Sequence, residues 1–178
     1  MNEYYLLRQS RDIVNPIKIE GDSIAHYPPA MMHQDFRGLE SVKVAYIEYQ
    51  KYQEIPDILA YPTYMVSDEI RRVLHMYDEN ISFKGVQVFP NRPKYIKEAS
   101  KVYWVYDCVM ENCLHKDSVR LPNGELKELI LDKRKLRGRD IFRVQGTLDN
   151  KLVISLAVAE SILRRNLYGV GLERLSVR

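Results

Sequence analysis

Two stretches of the chain repeat one another at a fixed spacing, and this limits the available folds more than any single motif. The first runs Val66-Ser67, then an amphipathic segment with Ile70, Val73 and Leu74, then Ile81-Ser82-Phe83-Lys84-Gly85-Val86-Gln87-Val88. The second runs Ile154-Ser155, then Ala159, Ile162 and Leu163, then Val170-Gly171-Leu172-Glu173-Arg174-Leu175-Ser176-Val177. From Ile70/Ala159 and Val73/Ile162 to Val86/Leu175 and Val88/Val177 the offset is 89 residues, with one extra residue before the second helix. Each stretch reads as strand–helix–strand. A unit of this kind buries its apolar face only against a neighbour, so fixed-period similarity implies copies packed around a shared interior. Any two amphipathic helices followed by strands also resemble each other, so duplication and coincidence both stay open at this level. The expectation is a single domain over 1–178, with pseudo-repeat halves 1–93 and 94–178 sharing one core.

The first helix is the clearest element. Ile70, Val73, Leu74 and Tyr77 fall at i, i+3, i+4 and i+7, one apolar stripe. Ser67 suits the N-cap, where its hydroxyl accepts an orphan backbone N–H, and Asp68 and Glu69 favour the positive end of the helix dipole. The second helix covers about 157–166, with Ala159, Ile162 and Leu163 inward. Tyr4–Leu7, Val42–Tyr49, Ile81–Phe89, Val102–Tyr106 and Ile141–Gln145 read as strands, being β-branched and aromatic in content. In Val42–Tyr49, alternation puts Val42, Val44, Tyr46 and Glu48 on one face. Residues 15–38, with Pro16, Gly21, Pro28, Pro29 and Gly38, read as irregular connection, and Pro122-Asn123-Gly124 as a tight turn. Leu126–Leu131 fits strand or helix.

Composition excludes several classes. The chain has 178 residues, 46% hydrophobic and 29% charged, with 27 Lys+Arg against 24 Asp+Glu for a net charge of +3. That is an ordinary globular balance, too weakly basic to require nucleic acid or an anionic membrane. The longest uncharged apolar stretch is Leu152–Ala159, where a membrane span needs roughly 20 residues. Arg8 interrupts the N-terminal apolar residues, so no signal peptide is read and the cytoplasm is the expected compartment.

Catalytic and cofactor signatures are sparse. Neither G-x-G-x-x-G nor G-x-x-x-x-G-K-[ST] occurs, nor a G-x-S-x-G elbow, so no cofactor is expected. Cys108, Cys113, His115 and Asp117 form the best metal candidate, but the second ligand pair of a structural zinc site is missing and buried free thiols explain the pair better. His26 and His33 flank Pro28-Pro29 with no third ligand near in sequence and read as surface histidines. No nucleophile with its base can be assembled from spacing, so no catalytic residue is assigned.

Two regions stand out as candidate partner contacts. Lys133-Arg134-Lys135-Leu136-Arg137-Gly138-Arg139 carries a dense basic run, flanked by Asp132 and Asp140 and without interleaved aromatics. It suits an acidic protein partner or a solvated connection better than nucleic acid. Of the 13 tyrosines, Tyr46, Tyr49, Tyr52, Tyr61 and Tyr64 cluster in sequence. Tyrosine supplies large, stiff, amphipathic area of the kind interfaces use, though part of any such cluster lines a core.

Three segments carry a family resemblance. Met65-Val66-Ser67-Asp68-Glu69-Ile70 resembles a strand-to-helix junction, and Ile81–Val88 the strand after it. Asp140-Ile141-Phe142-Arg143-Val144, Leu152-Val153-Ile154-Ser155 and Gly169-Val170-Gly171-Leu172 are similar to a C-terminal signature. The family is the bacterial immunity-protein family named for a myxobacterial member, found beside polymorphic toxins. The likeness covers about Val42 to Val177. The chain departs from the pattern at Asn112-Cys113-Leu114-His115, where the family has Asp-Cys-Leu-Asp, and at Gly85, where it tends to Pro. These are packing motifs, and the family supplies no catalytic residue to carry over.

The expected fold is α+β, with a mixed or mainly antiparallel sheet of about eight strands and two main amphipathic helices. The resemblance implies a non-enzymatic cytoplasmic protein that binds and neutralises a cognate toxin domain, with both regions above as contacts. An enzyme of unrecognised class and a nucleic-acid-binding protein stay open as alternatives, as does a homodimer.

Overall fold

The computed structural model describes residues 3–19, 24 and 27–178; His26 lies outside them. Among these residues the chain forms β1 (Tyr4–Gln9), α1 (His33–Gly38), β2 (Val42–Ile47), β3 (Ile58–Leu59), β4 (Met65–Ser67), α2 (Asp68–Tyr77) and β5 (Ser82–Pro90). Then follow α3 (Ile96–Ala99), β6 (Lys101–Asp107), β7 (Met110–Glu111), β8 (Val119–Arg120), β9 (Leu126–Glu128) and β10 (Ile130–Leu131). The chain closes with β11 (Ile141–Val144), β12 (Leu152–Ser155), α4 (Leu156–Leu163), β13 (Val170–Arg174) and β14 (Ser176–Val177). The fold is α+β, as expected. Instead of one sheet there are two five-stranded sheets, ordered β13-β1-β12-β11-β7 and β2-β5-β6-β4-β3, with two small two-stranded ones.

The repeat is present at the level of strand register. In the second sheet β6 lies antiparallel between β4 and β5, with Trp104 opposite Val66 on one side and Gly85 on the other. In the first, β1 lies antiparallel between β12 and β13, with Tyr5 opposite Ile154 and Arg174. Gly85 and Arg174 are 89 positions apart, so the offset read from apolar residues also holds between backbone partners. The outer strands match too: β3 pairs with β4 through Ile58 and Val66, and β11 with β12 through Ile141 and Ile154.

The central strand is supplied differently in the two units. In one it follows the strand–helix–strand segment, and in the other it comes from the N-terminus. The strands of one sheet thus come from 42–107, and those of the other from 4–9 together with 110–174. The reason is that a crossover helix leaves a gap between its two parallel strands, and any segment with the right alternation can fill it.

A shared core joins the units. Ile70, Val73 and Leu74 of α2 and Val158, Ala159 and Ile162 of α4 meet Ile58, Val66 and Tyr106 from one sheet and Leu7, Leu152 and Ile154 from the other. The Tyr77 hydroxyl donates to the Ala157 carbonyl at 3.1 Å and lies 2.7 Å from Ser161 Oγ, linking the helices. Leu163 corrects the expectation: it is 67% exposed, because α4 ends there and its buried stripe is 158, 159 and 162. The far face of each sheet has its own cluster, one around Tyr103, Val86 and Ile47, the other around Tyr4, Phe142 and Leu131.

The stretch read as irregular connection contains a helix, α1, at its C-terminal end. Its Asp35 carboxylate accepts the Met32 N–H at 2.9 Å, and Phe36 is buried against the second sheet. Leu126–Leu131 resolves into two strands, β9 and β10, and Gly124 takes φ +88° in the turn before them.

Candidate protein-binding face

The second sheet has one covered face and one partly open face. Alternation along β2, β5 and β6 sends Ala45, Ile47, Val86, Val88, Tyr103 and Val105 into the core on one side. The other side carries Val42, Val44 and Tyr46, with Phe83, Gly85, Gln87 and Phe89 beside them and Val102 and Trp104 beyond. α2 and α4 cover Val66 and Tyr106 on this side but stop short of β2. Val42, Val44 and Tyr46 are consequently 56%, 41% and 55% exposed.

The open face is held in shape from beneath and from one side. The Tyr46 and Phe89 rings lie 6.5 Å apart across the β2–β5 pair. Gly85 keeps the centre shallow: a Cβ there would meet both the Trp104 ring and Val42 Cγ2 at 3.6 Å. The Arg71 guanidinium sits 4.6 Å over the Trp104 ring and is itself fixed by Asp68 at 2.8 Å. This is a stiff apolar and aromatic surface bordered by a charged helix, the composition of an interface centre.

The other tyrosines of the sequence cluster do not join it. Tyr49 is buried, its ring edge-on to Tyr95 at 5.2 Å and its hydroxyl donating to Glu98 at 3.2 Å. Tyr52 and Tyr61 are exposed, but on the connections after β2 and after β3. Tyr64 is packed against the shared core, where burial pushes its hydroxyl up to about 12. Tyr49 is thus removed as a contact, because five residues close in sequence span two strands and several turns that point their side chains differently.

The basic run is offset in part by two carboxylates of the molecule itself, and its side chains stay partly exposed. Arg134 and Lys135 lie 3.6 and 3.8 Å from the Asp132 carboxylate. Arg137 and Arg139 lie 3.7 and 2.8 Å from that of Glu111, whose side chain is buried. Lys133 is held by its backbone, donating to the Arg178 carbonyl at 2.7 Å. The run covers two buried acids at the edge of the first sheet, so its charge density in sequence overstates the charge it offers a partner.

A polar cluster that spacing did not reveal lies where the two sheets meet. Arg143 on β11 is buried and donates through Nη2 to Asp107 Oδ1 at 2.7 Å. Through Nη1 it donates to the Met31 carbonyl and to Asn150 Oδ1. Asp107 Oδ2 also meets His33 Nδ1, and the Tyr106 hydroxyl donates to the Asn150 carbonyl at 2.5 Å. His33, Asp107, Cys108 and Arg143 line a cavity of about 420 Å³ together with Ser82 and Met110. Arg143 directs Nη1 and Nη2 to protein acceptors, while its buried Nε has no hydrogen-bond partner among the described residues. Burial, opposed by the Arg143 charge, pushes the Cys108 thiol up to about 12, so it stays protonated at neutral pH. The cluster acts as a clamp between α1, β6 and β11.

No helix among the described residues is long and apolar enough to cross a membrane. No protein-family model matches the chain, and no curated protein matches it either.

Proposed function

We propose that this protein is a non-enzymatic, cytoplasmic immunity-type protein that binds and neutralises a cognate toxin domain. The observation that carries the reading is the open face of the second sheet, where Val42, Val44 and Tyr46 stand exposed beside Phe89, Val102 and Trp104. Scattered apolar side chains are normal on a surface, but a contiguous set on a rigid sheet is a binding feature. The resemblance of Met65–Ile70, Ile81–Val88 and the C-terminal segments to an immunity-protein family supports the choice of partner. Binding of this kind blocks a toxin by occupying its active site or preventing an essential motion, with a few central aromatic anchors supplying most of the affinity.

Co-expression with the C-terminal toxin domain encoded by the adjacent gene tests the proposal, scored by growth rescue and co-purification. Rescue with a stoichiometric complex is expected, and Val44→Asp with Tyr46→Asp abolishes both while leaving the thermal melt in place. A harmless neighbour, or one that kills regardless and does not co-purify, overturns the reading.

A further inference from the structure

We propose that the partner adds an extended strand to the free edge of β2, an inference that rests on the protein-binding reading above. The added strand carries apolar side chains at alternate positions and a Lys or Arg beside Glu48. β2 ends its sheet, pairing with β5 alone among the described residues. The pairing is parallel, with the Gly85 N–H donating to the Ser41 carbonyl and the Asn91 N–H to that of Ile47, both at 2.9 Å. In a parallel ladder, alternate residues turn their N–H and C=O toward one neighbour and the residues between turn theirs the other way. Lys43, Ala45 and Ile47 therefore face β5, and the backbone groups of Val42, Val44 and Tyr46 point out from the sheet. These are also the residues whose side chains stand exposed on the open face. Backbone pairing and apolar contact are thus offered by the same three residues.

The other ends of the two large sheets are guarded, and this one is not. β3 and β7 have two residues each, and in β13 Glu173 is paired with Arg8 and Arg174 with Glu3. Short strands, charges, bulges and prolines are the usual means of keeping an edge unpaired. β2 is six residues long in unbroken register, holds no proline, and its one charge, Lys43, is drawn to Glu40 at 3.3 Å.

A second copy of this chain fits the edge poorly. Outward-facing residues must meet outward-facing ones, so the fullest two-fold antiparallel register sets Val44 against its own copy and Val42 against Tyr46. That register brings Glu40 and Glu48 together at both ends, where like charges opposite one another are unfavourable. A shift of two residues either way loses part of the apolar match and still sets no cation opposite Glu48. Glu48 is exposed with no cation in ion-pair distance among the described residues, and Lys51, three positions on, lies over the Tyr52 ring at 5.3 Å. The occupant is accordingly an extended segment of a different protein, with a basic side chain that answers Glu48.

The probe is the catalytically silenced toxin domain from the adjacent gene. Backbone amide exchange, read residue by residue by NMR, is expected to find Val42, Val44 and Tyr46 unprotected in the free protein and slowed about tenfold or more in the complex. Lys43, Ala45 and Ile47 are expected to be protected in both. Val44→Pro removes an outward N–H and no bond to β5, so it should keep the thermal melt and weaken binding about tenfold or more. Glu48→Arg is expected to weaken binding about two- to fivefold. If the three amides stay unprotected in a complex that V44D/Y46D abolishes, the open face is the site but strand addition is wrong. Wild-type affinity in Glu48→Arg overturns the basic position in the occupant. If wild-type protein fails to bind the domain, the immunity reading falls and this inference with it. A wild-type dimer in sedimentation that Val44→Pro dissolves makes the occupant a second copy and overturns the proposal.

Discussion

Arg143 Nη2 lies 2.7 Å from Asp107 Oδ1, with side chains only 4% and 8% exposed, and through this pair the strand β11 of one sheet grips the end of β6 in the other. A buried charge pair of this kind adds little net stability compared with an apolar pair of the same shape, but losing one partner strands the other. Arg143→Met is therefore expected to destabilise the fold by about 3–5 kcal/mol, read as a lowered urea midpoint. Adding Asp107→Leu to that variant restores part of the loss. Equal damage from the single and double variants would show that the pair is not the cause.

The two repeat helices begin on serines whose hydroxyls do different things. Ser155 Oγ accepts the Val158 N–H, whereas Ser67 makes no capping bond and its buried hydroxyl has no partner. Ser155→Ala should cost about 1 kcal/mol. Ser67→Ala should cost less, or stabilise, because it removes an unsatisfied buried polar atom. Thermal melts of the two variants decide this, and a larger loss at Ser67 would contradict it.

Burial raises several groups that lose a proton on the basic side of neutrality, among them Cys108 to about 12, Cys113 to about 11 and Tyr64 to about 12. The unfolded chain releases these protons first, near the ordinary values of 9.0 for a thiol and 10.0 for a tyrosine. The native state thus holds more protons between those values and the raised ones, and stability falls as pH climbs from about 9 toward 12. Below that window these groups contribute no pH dependence. Urea midpoints should decline from pH 8 to pH 10.5, and native protein should resist iodoacetamide at pH 8 while unfolded protein reacts at both thiols.

Glu111 is buried, and Arg137 and Arg139 are the cations that answer it. Removing both with Ala should destabilise the fold by about 1–3 kcal/mol, an intermediate value because both arginines remain in contact with water. Lys133→Ala should change stability by less than about 0.5 kcal/mol. Equal effects on chemical denaturation would mean the run is a uniform surface feature and not a cover over an acid.

Much of the fold was legible because the periodicities are local. The stripe Ile70, Val73 and Leu74 marked α2, and the apolar runs marked β1, β2, β5, β6 and β11 within a residue or two. α1 was hidden among prolines and glycines, since a six-residue helix held by Asp35 and the burial of Phe36 has almost no pattern of its own. The Arg143–Asp107–His33 cluster was invisible for a different reason: its members come from three elements that only the fold brings together.

The sequence by itself determined the α+β class, the 89-residue repeat and the alternation that puts Val42, Val44 and Tyr46 on one face. A period of two says which residues share a face, but not whether anything will cover that face. The tertiary structure decided that α2 and α4 reach Val66 and Tyr106 but not β2, leaving that face open. It also decided that four cations of the densest basic run come close to the carboxylates of Asp132 and Glu111. Charge available to a partner depends on which counter-charges the fold brings within a few ångströms: Asp132 is adjacent in sequence, but Glu111 is 28 positions from Arg139.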